Sequence, residues 1–161
     1  MKVFLQNIRS CHNVGSIFRT ADAVGCDEIL IGGYTPLPEN KWGVENRSMV
    51  KVSLGAEKVV KWTRVHMLGK KLDQLRSEGF VLIALELTED ALDYSELRLA
   101  KSDYPKIVLF LGNEKRGVSK QILNKMDYKI KIPMHGAKES LNVSVAFGIA
   151  AFALRDNLLE G

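Results

Sequence analysis

At 161 residues, 46% hydrophobic and 26% charged, the chain has the composition of one ordinary globular domain and not of a disordered or low-complexity segment. Its two cysteines, Cys11 and Cys26, have no paired spacing, which argues against a disulfide framework or a zinc site; no apolar run is long enough to span a membrane. The net charge of +4 permits an acidic partner such as nucleic acid without requiring one.

The N-terminus turns polar too early for a signal peptide, so a cytoplasmic protein with reduced thiols is expected. Lys2 to Gln6 reads as a short strand ending in the polar break Asn7-Ile8-Arg9-Ser10. From Asn13, the residues Val14, Ile17, Phe18, Ala21 and Val24 recur at helical spacing, and Gly25 supplies the stop. Glu28 to Ile31 is a buried strand closed by Gly32-Gly33, which completes a strand–helix–strand unit with an expected right-handed crossover.

Tyr34 to Arg47 breaks the pattern with two prolines and scattered charges, and a loop of that length is usually functional. A short helix is expected around Leu54 to Lys58 and a brief strand near Val60 to Val65. Leu68, Leu72 and Leu75 mark an amphipathic helix from Leu68 to Arg76, stopped by Gly79. Phe80 to Leu85 is a fully apolar strand, whereas Thr88 to Asp103 is charged and surface-like. Ile107 to Leu111 is another apolar strand. It breaks into Gly112-Asn113-Glu114-Lys115-Arg116-Gly117, followed by a helix from Lys120 to Lys125 with Ser119 as its cap. Tyr128 to Ile132 has strand character and breaks into Pro133-Met134-His135-Gly136. Ser140 or Asn142 then caps a last helix, Val143 to Leu154.

Strands alternating with helices, several of them continuously apolar, predict an α/β fold with a mainly parallel sheet covered on both faces. In such sheets ligands sit outside the carboxyl ends of the strands. The two glycine-bearing loops after Leu111 and Ile132 therefore predict a small-molecule site built largely from backbone. Arg19 lies near Val14, Ile17 and Phe18 at a spacing that points it partly toward the sheet. There it needs a carboxylate partner such as Glu114, or a substrate phosphate or hydroxyl. No dinucleotide fingerprint, phosphate loop, nucleophile relay or metal cluster is present.

Three motifs in order carry a more specific signal. They are Asn13-x-Gly15-x-x-x-Arg19-Thr20-Ala21, then Phe110-Leu111-Gly112-Asn113-Glu114-x-x-Gly117, then Ile132-Pro133-Met134-x-Gly136 leading into Ser140-Leu141-Asn142-Val143-Ser144. With Ser53-Leu54-Gly55-Ala56 between them, the chain resembles the SpoU/TrmH family of RNA ribose 2′-O-methyltransferases, within the SPOUT superfamily.

That resemblance implies a single SPOUT domain over residues 1–161 with a deep C-terminal trefoil knot and no separate RNA-binding extension. It implies S-adenosylmethionine as cofactor, held at Leu85, Gly112, Ile132, Ser140 and Leu141, and no metal. It implies a homodimer with Asn13's helix and the last helix at the interface, acting on tRNA or rRNA. Arg19 would assist the 2′-hydroxyl, with Asn13 and Asn142 orienting it or the ribose. Glu114 would pin the guanidinium or the loop, and Ser140 would help hold the cofactor. RNA recognition would fall to the dimer surface, including Lys41 and Arg47, or to another protein. The alternatives are a knotted methyltransferase acting on a base nitrogen, and a non-catalytic RNA-binding module of the same fold.

Overall fold

A computed structural model describes residues 1–99 and 106–156. In chain order the elements are β1 (Lys2–Gln6), α1 (Cys11–Val24), β2 (Glu28–Gly32), α2 (Arg47–Ser53), α3 (Ala56–Val59), β3 (Trp62–Val65) and α4 (Leu68–Ser77). They continue with β4 (Val81–Leu85), β5 (Leu92–Asp93), β6 (Ile107–Leu111), α5 (Lys120–Leu123), β7 (Tyr128–Lys131) and α6 (Val143–Asp156).

The strands form one seven-stranded sheet in the order β3-β2-β1-β6-β4-β7-β5, and every pairing in it is parallel. Alternation along the strands sorts the core into two halves. Val3, Leu5, Ile29, Ile31, Ile83, Leu109 and Leu111 face one side, where α1, α2, α3 and α6 pack. Phe4, Leu30, Leu82, Ala84, Val108 and Phe110 face the other, against Leu72 and Leu75 of α4 and Leu123 of α5. Both faces are thus covered, which is why the central strands carry no polar alternation. Phe4 and Phe110 stack across adjacent strands with centroids 4.8 Å apart.

Most elements lie where the apolar pattern places them, and the differences have local causes. Helix α1 starts at Cys11, because Ser10 is extended and its side chain accepts from the Asn13 amide. The helix therefore begins two residues ahead of Asn13, and the Asn13 side chain is released for other partners. The long loop ends earlier than expected, at Asn46, whose Oδ1 accepts from Met49 N and opens α2. Leu54 (φ 52°) and Gly55 (φ 95°) then separate α2 from α3, so the helix expected at Leu54–Lys58 begins only at Ala56, and α2 is an additional helix within the preceding stretch. Within the charged stretch from Thr88, Leu92–Asp93 adds a two-residue edge strand, and residues 100–103 lie outside the described residues.

At the amino-terminal side of the sheet a buried charge joins three strands. Glu28 is 6% exposed and accepts from Lys2 Nζ at 2.7 Å and from Thr63 Oγ1 at 2.6 Å, linking β1, β2 and β3. Burial pushes its carboxyl up, but those hydrogen bonds and the charges of Lys2 and Lys61 outweigh it and hold it below the usual range. Burial also pushes the Cys26 thiol up to about 12, so it stays an unreactive thiol.

The glycine of the first motif has a packing reason. A Cβ on Gly15 would stand 2.7 Å from Met49 O and 3.1 Å from Val52 Cβ, so α2 crosses α1 at a point only glycine fits. Alanine would add about 1 kcal/mol of helix propensity, but overpacking against backbone costs about 1–3 kcal/mol. Gly15→Ala should therefore lower the urea-measured stability by up to about 2 kcal/mol. A variant as stable as the parent would show that the α1–α2 crossing is not tight.

Candidate active site

Because the sheet is parallel, the loops after β1, β2, β4, β6 and β7 all open on one edge. Their backbone groups lie beyond the strand ladder and are satisfied there by side chains. Thr35 Oγ1 accepts from Ile8 N at 3.0 Å and donates to Leu5 O at 3.3 Å, joining the loops after β1 and β2. Asn113 is 8% exposed and central to the next join. Its Oδ1 accepts from Lys115 N and Arg116 N at 3.0 and 2.8 Å, and its Nδ2 donates to Asn7 O and Tyr34 Oη at 2.9 and 3.0 Å. The loop Gly112–Gly117 is thereby folded into a tight turn, closed by paired backbone hydrogen bonds between Asn113 and Gly117.

Gly112 lies inside that turn. A Cβ there would meet Gly117 C at 2.5 Å and Val118 N at 2.6 Å, both backbone atoms with little room to yield. Glu86, immediately after β4, clamps the turn from the opposite side: its Oε2 accepts from Val118 N at 2.6 Å and its Oε1 from Leu87 N at 3.0 Å.

Below this turn lies a cavity of about 310 Å³. Leu85, Gly112, Ile132, Ser140 and Leu141, the five positions expected to hold a cofactor, all line it. Leu87, Leu111, Met134, Val143 and Ala146 add apolar wall; Glu86, Glu139, Lys115 and Lys131 add charge. Glu86 is a site residue that the sequence motifs do not include, although its place just past an apolar central strand is the signal that would have found it.

At the cavity mouth a directional chain of hydrogen bonds runs across four segments. Asn142 Oδ1 accepts from Ser144 N at 2.9 Å and Ser144 Oγ at 2.7 Å, in the manner of a helix cap. That leaves its Nδ2 to donate to Asn13 Oδ1 at 3.1 Å, and Asn13 Nδ2 in turn donates to Glu114 Oε1 at 3.1 Å. Glu114 ends the chain because a carboxylate only accepts, and it also takes Arg9 N at 3.0 Å and Ser10 N at 3.2 Å. Burial pushes the Glu114 carboxyl up, yet its own amide, those of Arg9 and Ser10, and the Asn13 side chain together hold it below the usual range. The capping and the network roles of Asn142 therefore coexist in one side chain.

Arg19 is placed differently from expectation. It is exposed on α1, and Glu114 takes amides and Asn13 in place of its guanidinium. Six residues of helix put Arg19 roughly 9 Å along the axis from Asn13 and about 120° around it. That rotation carries Arg19 away from the sheet, on which the buried face of α1 packs. Of the five expected catalytic residues, Glu114 and Ser140 line the cavity, and Asn13 and Asn142 are tied to Glu114 by hydrogen bonds; Arg19 does not join them within this chain.

Comparison with known proteins gives a consistent picture. The sequence pattern of the SpoU rRNA Methylase family matches residues 1–152. A TrmH family protein of Staphylococcus epidermidis is 35% identical over 150 residues, covering 93% of this chain. The chain spans 56% of that relative's length. The TrmH/SpoU tRNA modifying enzyme of A. aeolicus superposes with a TM-score of 0.81 at 34% identity, over 98% of this chain and 75% of that one. The AdoMet-bound rRNA methyltransferase of Sinorhizobium meliloti superposes with a TM-score of 0.85 at 27% identity, over 98% of this chain and 56% of that one. With the family pattern covering nearly the whole chain, the protein belongs to the SpoU rRNA methylase family.

Proposed function

We propose that the chain binds S-adenosylmethionine in the 310 Å³ cavity and transfers its methyl group to a ribose 2′-hydroxyl of structured RNA, tRNA or rRNA. The observation that carries this reading is the convergence of Leu85, Gly112, Ile132, Ser140 and Leu141 on one cavity, with Asn13, Glu114 and Asn142 at its mouth. It draws further support from family relatives, of which the S. meliloti enzyme carries AdoMet. The residues fit the cofactor. Leu85, Leu87, Ile132 and Leu141 offer apolar walls for a purine ring, and the bare backbone of Gly112 offers peptide groups to its edge. Three glutamates against two lysines around the cavity favour a cationic centre.

Bound there, the cofactor would supply an electrophilic methyl on sulfonium sulfur. The protein's own task is to align the hydroxyl with that methyl and to ease loss of its proton. Asn13 and Asn142, locked by the chain of hydrogen bonds ending on Glu114, would present fixed amide groups to the ribose. Arg19, always protonated, would hold the adjacent phosphate and stabilise the developing alkoxide without acting as a base.

Since Arg19 is exposed, it would serve the site of a second copy, which makes the homodimer part of the mechanism. The exposed apolar residues Val145 and Phe152, with Ile149 between them on α6, provide the contact face. A chain that sediments as a monomer at working concentration while methylating RNA would remove this assignment. The strand order, in which β6 is inserted between β1 and β4 and α6 returns to pack on α1, is compatible with a deep C-terminal trefoil knot. A soluble, cofactor-binding truncation ending before Leu141 would exclude the knot.

Arg19→Ala should leave folding and cofactor affinity intact while lowering methyl transfer by roughly 10²- to 10³-fold, as measured by radiolabelled methyl incorporation. Loss of cofactor binding in that variant would make Arg19 structural instead. The acceptor atom is tested separately, once the modified nucleotide has been mapped. RNA with a single 2′-deoxy substitution at that nucleotide should still bind, because phosphates supply most of the affinity, and should accept no methyl group. Methylation of the deoxy RNA at the parental rate would place the acceptor on the base.

A further inference from the structure

A second cleft adjoins the first and has no place in the chemistry above. Its wall is formed by Arg9, Tyr34, Asn113, Lys115 and Arg116, and its volume is about 360 Å³. Asn113 and Lys115 border both cavities, so the cleft is continuous with the cofactor site through the Gly112–Gly117 turn.

The cleft is built, and does not merely collect surface lysines. Asn113 forms its buried floor and donates to Tyr34 Oη, and Asn7 Oδ1 accepts from Tyr34 N at 3.3 Å. The phenol is therefore tethered at its hydroxyl and at its backbone, yet the residue is 58% exposed, which leaves a fixed aromatic surface open to solvent. Lys115 and Arg116 are aimed by the same floor, since Asn113 Oδ1 accepts both their amides. The carboxylate of the same turn, Glu114, is committed to Arg9 N, Ser10 N and Asn13. Among the described residues, none of the three cationic heads is engaged in an ion pair.

Three unpaired cations around an immobilised aromatic ring are the chemistry of a single-stranded nucleotide site. Cations neutralise the phosphate, and the ring takes a base without reading its edge. We infer that this cleft seats the nucleotide next to the acceptor, with Arg9, Lys115 and Arg116 on its phosphates and its base stacked on Tyr34. The inference rests on the RNA reading above and adds a positioning subsite to it. With the neighbouring unit held there, the acceptor ribose is delivered to the mouth formed by Asn13 and Asn142. The site also requires the acceptor region to be unpaired, since a base inside a duplex offers no free face to Tyr34.

The test uses the full chain, a fluorescein-labelled mixed-sequence single-stranded RNA 12-mer, and S-adenosylmethionine titrated separately by calorimetry. Arg9 and Arg116 are chosen because neither lines the cofactor cavity. The double substitution Arg9→Gln/Arg116→Gln should lower the slope of log K against log salt by about 1.4, about 0.7 for each phosphate that the variant leaves unneutralised. Tyr34→Leu should weaken RNA binding by about ten-fold or more, the size expected for one base without its stacking partner. Tyr34→Phe, which keeps the ring and removes only the hydroxyl tether, should bind nearly as the parent does and guards against misfolding as the cause. All three variants should bind S-adenosylmethionine as the parent does. An unchanged salt slope, or Tyr34→Leu binding as tightly as Tyr34→Phe, overturns the subsite while leaving the proposed reaction standing. A parent chain that binds S-adenosylmethionine but neither the 12-mer nor folded tRNA or rRNA overturns the RNA reading, and this subsite with it; binding of folded RNA alone overturns only the subsite.

Discussion

The constraint on which this structure turns is that its strands run parallel, so each carboxyl end opens on the same edge of the sheet. A parallel ladder stops there with backbone donors and acceptors unspent, and the loops that follow must satisfy them. This chain does so with a small set of polar side chains, Thr35, Glu86, Asn113 and Glu114, each of which bonds to the backbone of a segment distant in sequence. The same bonds that settle the loops therefore fix the walls of two adjoining clefts. Site and scaffold are not separable at this edge.

The order of the hydrogen bonds at the cavity mouth follows from the same accounting. An asparagine amide has one accepting and one donating end, and α6 claims the accepting end of Asn142 as its cap. Its donor must then turn to Asn13, whose own donor must turn to Glu114, where the chain ends on a carboxylate. Each amide has one orientation that satisfies its neighbours, so the groups facing the cavity mouth are set before any ligand arrives. Preorganisation of that kind is the contribution a methyl transferase can make to an in-line displacement, which needs alignment more than it needs acid or base. Arg19 is exposed and stands apart from this network.

The apolar strands and the long helices are legible in the sequence because burial on both sheet faces leaves a continuous apolar signature, as in Ile107–Leu111, and because α1 carries its helical spacing openly. The parallel sheet follows from the alternation of elements. The glycine-bearing loops after Leu111 and Ile132 are legible as a site from the residues alone, but Leu85, Ser140 and Leu141 only through the motif resemblance; nothing in the residues distinguishes Leu85 from any other strand-end leucine. What the sequence hides is set by tertiary partners. Ser10 caps α1, ahead of the first residue at which the helical spacing shows, because of a backbone geometry that composition does not encode. Apolar neighbours at i−1 and i−2 suggest burial for Arg19, but the helical rotation between those positions is enough to turn it outward. Tyr34 carries no sequence signal of its role and Glu86 only its place just past an apolar strand; both roles exist only once the loops after β2, β4 and β6 have been brought together.

The claim that the edge loops form one cofactor site is open to a direct measurement. Amide hydrogen exchange of the full chain, followed with and without saturating S-adenosylmethionine, reads each loop separately. Slower exchange should appear together in residues 85–87, 112–118 and 132–142, with little change in α4 or in the amino-terminal ends of the strands. Binding of the cofactor with protection at some other surface, and none in those three loops, would contradict the account.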